Sequence, residues 1–237
     1  MKPKIKRRLL ILLGITALLA LAILLFASGG YRADERALGA LFSDTVRVER
    51  TDFGWLFDGP SDAAALIFYP GGRVEETAYA PLLRALAEKE LDVFLVKMPL
   101  GLAVLDGGAA DKIMARWDYA RWYIGGHSLG GAVAANYAAA HDLDGVILLA
   151  AYPTKAVDEP MLLVYGSEDG VLNRSRLAAA PQYGATEEVR LEGGNHARFG
   201  DYGEQKGDGA AALSPEEQQR ATVEAVAAWL ARQERAG

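Results

Sequence analysis

The feature that most constrains this 237-residue chain is the run Trp122-Tyr-Ile-Gly-Gly-His-Ser128-Leu-Gly-Gly131. It predicts a short apolar strand that passes through a sharp turn straight into an alanine-rich helix. Within it, Gly126-His127-Ser128-Leu129-Gly130 has the G-x-S-x-G spacing of a strand–nucleophile–helix elbow. A serine at the tip of so tight a turn sits in a strained backbone conformation. Side chains two residues before and after it would collide, and glycine at both places removes the collision. The serine hydroxyl is then exposed above the sheet edge, with the Leu129 N–H beside the positive end of the following helix.

The rest of the chain reads as alternating strands and helices. Apolar runs at 63–69, 92–98, 146–151 and 161–165 suit strands covered on both faces. A short hairpin is predicted at 45–49 and 55–58, and a last strand at 186–191. Helical spacing occupies 76–90, 109–117 and 129–141. A final helix starts at Ser214, with Pro215 in the first turn and Glu217 three residues after the cap. Val223, Val226, Ala227 and Leu230 mark its apolar stripe. This pattern predicts an α/β fold with a doubly wound, mostly parallel sheet, whose strand ends converge on a site at one edge.

A serine needs a base, and the base needs an orienting acid. Of the three histidines, His127 adjoins the serine and is expected to point elsewhere, as a packing or hydrogen-bonding residue. His141 falls at the end of the elbow helix, where it complements the helix dipole. His196, just past the last strand, is therefore the predicted base. The acid is sought after the preceding strand, in Tyr165-Gly-Ser-Glu-Asp-Gly170, where Asp169 is the choice and Glu168 the alternative. The order Ser128, Asp169, His196 is that of the α/β-hydrolase triad rather than of the chymotrypsin-like or subtilisin-like proteases. Leu129 is expected to give one oxyanion donor. The second is assigned to Gly72 or Arg73, in the glycine-rich turn after the strand at 63–69.

On these motifs, together with Tyr69-Pro-Gly-Gly-Arg-Val74 and Gly193-Gly-Asn-His196, the chain from about residue 44 resembles the α/β-hydrolase superfamily. It is most similar to small bacterial hydrolases near the dienelactone-hydrolase and esterase branch, departing from dienelactone hydrolase proper in having serine rather than cysteine as nucleophile. The resemblance implies an acyl-enzyme mechanism on carboxylic esters, with no cofactor. Superfamily lids usually follow the strand after the elbow helix, but here only 152–160 separates two strands. The expected site is lidless and open. The glycine-rich loop 199–209 reads either as a solvated loop or as a pocket rim with Asp201 and Tyr202 near the substrate. Asp201, Glu204 and Asp208 lack the ligand spacing of an EF-hand, and no metal site is expected.

The N-terminus adds an address. Residues 1–8 carry Lys2, Lys4, Lys6, Arg7 and Arg8, and 9–27 are 19 residues without a charge. As a helix the latter would span roughly 28 Å, nearly a bilayer core. The reading is a transmembrane signal anchor at 9–27 after a basic cytoplasmic flank, then a linker at 28–43 and the catalytic domain at 44–237. The domain is placed outside the cytoplasm in a single-pass topology; cleavage and secretion is the alternative. Without the five basic residues the chain has 20 Lys+Arg against 31 Asp+Glu, a formal charge of −11. That balance and the lack of a P-loop exclude nucleic acid as an expected partner. The absence of cysteine rules out disulfides, zinc–thiolate sites and a thiol nucleophile. The expected activity is that of a membrane-anchored serine esterase. An acyltransferase or peptidase with the same triad, or a catalytically silent binding domain, are the competing readings.

Overall fold

In the computed structural model of the chain, the apolar runs assemble into one sheet. The structure describes residues 12–16, 18, 29–42, 44–89, 91–180 and 184–236. Among these, the strands are β1 (Arg47–Arg50), β2 (Gly54–Asp58), β3 (Ala64–Tyr69), β4 (Asp92–Val96), β5 (Arg121–His127), β6 (Gly145–Leu149), β7 (Met161–Gly166) and β8 (Thr186–Leu191). Their order across the sheet is β1-β2-β4-β3-β5-β6-β7-β8. The β1–β2 hairpin and the β2–β4 pair are antiparallel, and every pair from β4 onward is parallel. β3, β4 and β6 are buried at every position, as expected of strands with helices on both faces. β8 closes one edge and alternates exposed charge with half-buried residues, which blunts that edge against pairing with another chain.

The helices are α1 (Glu35–Gly39), α2 (Ala80–Ala87), α3 (Ala109–Met114), α4 (Leu129–Ala138), α5 (Arg174–Ala178) and α6 (Pro215–Ala236). On one face Leu82, Leu83 and Leu86 of α2 and Val223, Val226 and Trp229 of α6 bury Leu66, Phe68, Tyr123 and Ile147. On the other, Ile113 of α3, Ala134 and Ala138 of α4 and Leu177 of α5 bury Ile67, Ile124, Leu148 and Leu163. The alternation of Leu66/Phe68 against Ile67 is the period-two pleat dividing one strand between two layers. The start of α6 is the predicted capping box. Ser214 Oγ accepts from Glu217 N–H at 3.2 Å, and Glu217 Oε2 accepts from Ser214 N–H at 2.7 Å.

Two expectations change. The helix predicted over 76–90 is a 3₁₀ turn, Glu76–Tyr79, followed by α2. Pro81 has no N–H to carry the α-ladder across that junction. The stretch expected to be a linker is built into the domain, since the compact unit is Tyr31–Gly237. Asp34 caps α1 by accepting from Ala37 N–H, Ala37 is buried, and Tyr31 bridges to Val74 in parallel. Between β6 and β7, residues 150–160 form no helix or strand, so nothing there covers the sheet edge.

The first unit is Met1–Gly30. In it residues 12–16 and 18 are helical, with Leu12, Leu13, Ile15 and Leu18 exposed. The rest of the segment expected to cross a membrane, 9–27, lies outside the described residues. Among the described residues no helix is long and apolar enough to cross one.

Trp229 is the largest fully buried side chain, set edge-on to Tyr123 with ring centres 5.9 Å apart. Its indole also occupies the space a Cβ would take at Gly145. Trp229→Ala should therefore lower stability by about 3–5 kcal/mol. In urea titrations this would appear as a lower midpoint at unchanged slope.

Candidate active site

The sheet order places the site. After β3 the chain moves to β4 on one side, then returns to β5 on the other, so the winding reverses between β3 and β5. A crevice at the carboxyl ends of the strands belongs at such a reversal. β3 leads into Pro70–Val74 and β5 leads into Ser128. Because Tyr69 is in register with Gly126, the two exits lie side by side.

The elbow has the strain that its sequence predicts. Ser128 sits at φ 51°, ψ −121°, a conformation L-residues rarely adopt and that costs about 1–3 kcal/mol. Its N–H is tied to Leu149 O of β6 at 2.9 Å, and its carbonyl accepts from Ala132 N–H of α4 at 3.1 Å. A Cβ at Gly126 would come within 2.5 Å of Tyr69 O, and one at Gly130 within 2.3 Å of both Tyr69 O and Pro70 O. The glycines thus let the turn press against the exit of β3 and so bring Ser128 up to the Gly71–Arg73 turn.

Ser128, His196 and Asp169 meet above this crevice. Asp169 Oδ2 lies 2.9 Å from His196 Nδ1, and Ser128 Oγ lies 2.9 Å from His196 Nε2. A carboxylate only accepts, so Nδ1 carries the proton and Nε2 is left to accept from the serine hydroxyl. Both members of the acid–base pair are buried. Asp169 Oδ1 is held separately by the N–H groups of Val171 and Leu172, at 2.8 and 2.7 Å. Glu168, the alternative acid, instead accepts from its neighbour Ser167 Oγ at 2.8 Å.

Of the two candidate second oxyanion donors, Arg73 has its N–H committed to Gly101 O at 2.7 Å. That corrects the expectation for Arg73, which stands at a positive φ of 60° beside the Pro99–Gly101 turn. Gly71 N–H is also engaged, on Tyr79 Oη at 3.1 Å. Gly72 lies between them and faces the Leu129 side chain closely enough that a Cβ would meet it at 3.0 Å.

His127 points away from Ser128, as expected of a neighbour in extended chain. It is buried, with Nε2 at 3.0 Å from His196 O and Nδ1 at 2.8 Å from Tyr79 Oη. The carbonyl requires the proton on Nε2, so Tyr79 O–H donates to Nδ1 while accepting from Gly71 N–H. Burial, reinforced by His196, pushes the His127 pKa well below its ordinary value and keeps it neutral. The result is a chain of hydrogen bonds from the Gly71–Arg73 turn to the backbone of the base. His141 caps the elbow helix, its Nδ1 donating to Tyr137 O at 2.7 Å.

Two residues that hold the His196 loop were not assigned that part from the sequence. Asp208 Oδ1 accepts from the N–H groups of Gly170, His196 and Gly209 at 3.1, 3.1 and 2.8 Å, and Oδ2 accepts from Ala197 N–H at 2.8 Å. One carboxylate therefore staples the Asp169 loop to the His196 loop. Gln218 of α6 brackets Asn195: Oε1 accepts from its N–H at 2.9 Å and Nε2 donates to its carbonyl at 2.8 Å. A signal for Gln218 was present, since it sits eight residues before Val226 on the same helical face. The reading of Asp201 and Tyr202 as pocket-rim groups is corrected, because both are buried. Asp201 pairs with Arg36 of α1 at 3.0 Å and accepts from Gln219 at 3.2 Å, while Tyr202 packs on Tyr31 and Tyr79. A tight loop turned these side chains inward, which composition alone does not reveal.

A doubly wound sheet with a serine elbow at its reversal point defines a class, the α/β hydrolases. The sequence model described as the alpha/beta hydrolase family matches residues 65–220, and this chain belongs to that family. Comparison with curated proteins gives no match. Among solved structures, the fold is similar to dienelactone hydrolase from Anabaena variabilis, at 14% identity and TM-score 0.53, covering 79% of this chain and 96% of the other. It is also similar to carboxyl esterase 2 from Tuber melanosporum, at 11% identity and TM-score 0.59, covering 84% and 89%. Monoacylglycerol lipase from Paleococcus ferrophilus aligns at 14% identity and TM-score 0.58, covering 77% and 99%.

Asp208→Ala would leave four backbone N–H groups without their acceptor and is expected to destabilise the chain by about 2–4 kcal/mol. Thermal unfolding measures that loss, and Asp208→Asn, which keeps one carbonyl oxygen, should recover part of it. Asp201 gives a pH signature. Burial, against the pull of Arg36, raises its pKa to about 6. The folded state then holds this proton more tightly than the unfolded state does, so stability falls as pH rises from about 4 to about 6 and is level above that. The difference in stability between wild type and Asp201→Asn, followed by urea unfolding at a series of pH values, should change across that window and not above it.

Proposed function

We propose that this chain is a membrane-anchored serine hydrolase of carboxylic esters. The observation that carries the reading is the hydrogen-bonded line from Ser128 through His196 to Asp169, at a strained elbow. Ser128 Oγ attacks the ester carbonyl as His196 Nε2 takes its proton, and Asp169 holds the imidazole in the required tautomer and stabilises the imidazolium. The tetrahedral oxyanion is held by the N–H groups of Leu129 and Gly72, because that of Arg73 is committed elsewhere. His196 then returns the proton to the leaving alcohol, leaving an acyl group on Ser128. Water, deprotonated by the same nitrogen, releases the acid. Losing one oxyanion donor costs roughly 3–4 kcal/mol in such sites. No cofactor enters this cycle.

The anchor reading rests on the 19 uncharged residues at 9–27 and the five basic residues before them. That charge bias keeps the flank in the cytoplasm and sets the hydrolase domain on the other side.

Fluorophosphonate labelling of the full chain in detergent tests the chemistry. The adduct should map to Ser128 by mass spectrometry and be absent in Ser128→Ala. In His196→Ala the labelling rate should fall by about four to six orders of magnitude. A folded wild-type protein that takes no label would rule out an activated serine and favour a silent binding domain.

A further inference from the structure

Tyr31, where the compact domain begins, is bonded to the candidate site's own loop. Its N–H donates to Arg73 O at 2.8 Å and its carbonyl accepts from Glu75 N–H at 2.9 Å, so the chain joins the domain one residue from Gly72. Only Ser28, Gly29 and Gly30 separate Tyr31 from the uncharged run ending at Ala27. Four Cα–Cα steps reach about 14 Å when fully extended. A membrane that held residues 9–27 would therefore be tethered to the domain by at most this length of chain, at a residue bonded to the site's loop.

Several exposed apolar side chains lie on segments joined to that loop or to the elbow helix. Within the domain's described residues, the large apolar side chains exposed to solvent are Leu38, Phe42, Leu100, Val104, Leu105 and Val171. Leu100 precedes Gly101, whose carbonyl takes the Arg73 N–H, and it stands at φ 52°, a conformation unfavourable for leucine. Val104 and Leu105 lie in a turn, Ala103–Leu105, that packs on the elbow helix α4. Val171 N–H binds Asp169 Oδ1. Leu100, Val104 and Leu105 thus lie on turns next to the Arg73 loop and to α4, Val171 lies two residues from Asp169, and Leu38 and Phe42 lie on the segment that leads in from Tyr31. Single exposed leucines are ordinary, but apolar groups gathered around a site mark an apolar partner.

We propose that this edge of the domain rests on the lipid bilayer and that the substrate is an ester of a bilayer lipid, attacked while its acyl chain stays in the membrane. The lipid-ester part rests on the serine-hydrolase reading and the docking part on the anchor. The missing lid fits both: with no helix in 150–160 to shelter an acyl chain, the bilayer itself can do so. The acidic balance of the domain argues against electrostatic attraction to anionic lipids, which leaves the tether and the apolar rim to hold it. Docking is accordingly expected in zwitterionic vesicles and at high salt.

The chain has no cysteine, so Val104→Cys and Asp142→Cys each introduce a unique thiol. Asp142 follows the far end of α4, just before β6, at the amino ends of the strands. Each full-chain variant would carry the fluorophore NBD and be reconstituted into phosphatidylcholine vesicles containing spin-labelled lipid. The proposal expects at least twofold stronger quenching at 104 than at 142, unchanged in 1 M salt. Equal quenching at the two positions, or failure of the chain to float with vesicles, overturns the docking. In the second arm, dioleoylglycerol is placed either in the same vesicles as the wild-type protein or in separate ones, with p-nitrophenyl acetate as a soluble ester. Hydrolysis at least tenfold faster in the shared vesicles supports the proposal. Equal rates, or turnover of p-nitrophenyl acetate with none of the lipid, overturn the lipid substrate. Strong quenching at 104 with neither ester cleaved upholds the docking and overturns the hydrolase reading instead.

Discussion

The close approach of the Ser128 turn to the end of β3 governs the rest of the site. Gly126 and Gly130 allow backbone to lie against backbone at Tyr69 and Pro70, and the parallel register Tyr69↔Gly126 fixes where that happens. From this contact follow the strained φ of Ser128, the direction of α4 with its free amino end toward the crevice, and the nearness of Gly72 to Leu129. The strain is sustained because the turn is held from both sides, by β3 and by the bond from Ser128 N–H to Leu149 O of β6. A protein interior this densely packed leaves the turn no relaxed alternative.

His196 is held with equal care by groups that do not touch Ser128. Asp208 gathers N–H groups from the loops of Asp169 and His196, Gln218 grips Asn195, and neutral His127 supports the His196 carbonyl. Ordered loops of this kind carry many buried polar groups, and each must be paired if the loop is to hold one conformation. The site's precision therefore depends on residues that would never touch a substrate. Through Tyr79, the same network reaches the Gly71–Arg73 turn, so His196 and that turn, the two neighbours of Ser128, share one hydrogen-bonded frame.

Much of this was legible in the chain. The G-x-S-x-G run between a strand and a helix predicted the elbow, and the order Ser128, Asp169, His196 predicted which side chains meet, because each follows a parallel strand and such strands end at one edge. The capping box of Ser214 and Glu217 fixed the start of α6. What could not be read was the direction of loop side chains. Asp201 and Tyr202 belong to a glycine-rich, charged stretch that resembles a solvated rim, yet they turn inward onto Arg36 and Tyr79. The choice between Gly72 and Arg73 was equally closed to sequence, since it turns on one amide that pairs with Gly101, 28 residues on.

By itself, then, the sequence determined the fold class, which serine, histidine and aspartate side chains meet, and the uncharged segment at the N-terminus. Those are properties of periodicity, spacing and composition, which are local and repeat along the chain. Only the tertiary structure decided that Asp208 and Gln218 hold the base, that Arg73 is committed to Gly101, and that the chain enters its domain at the site's own loop. Each of these depends on a single hydrogen bond or a short set of them between residues distant in sequence, and such pairings exist only once the sheet has brought its strand ends together.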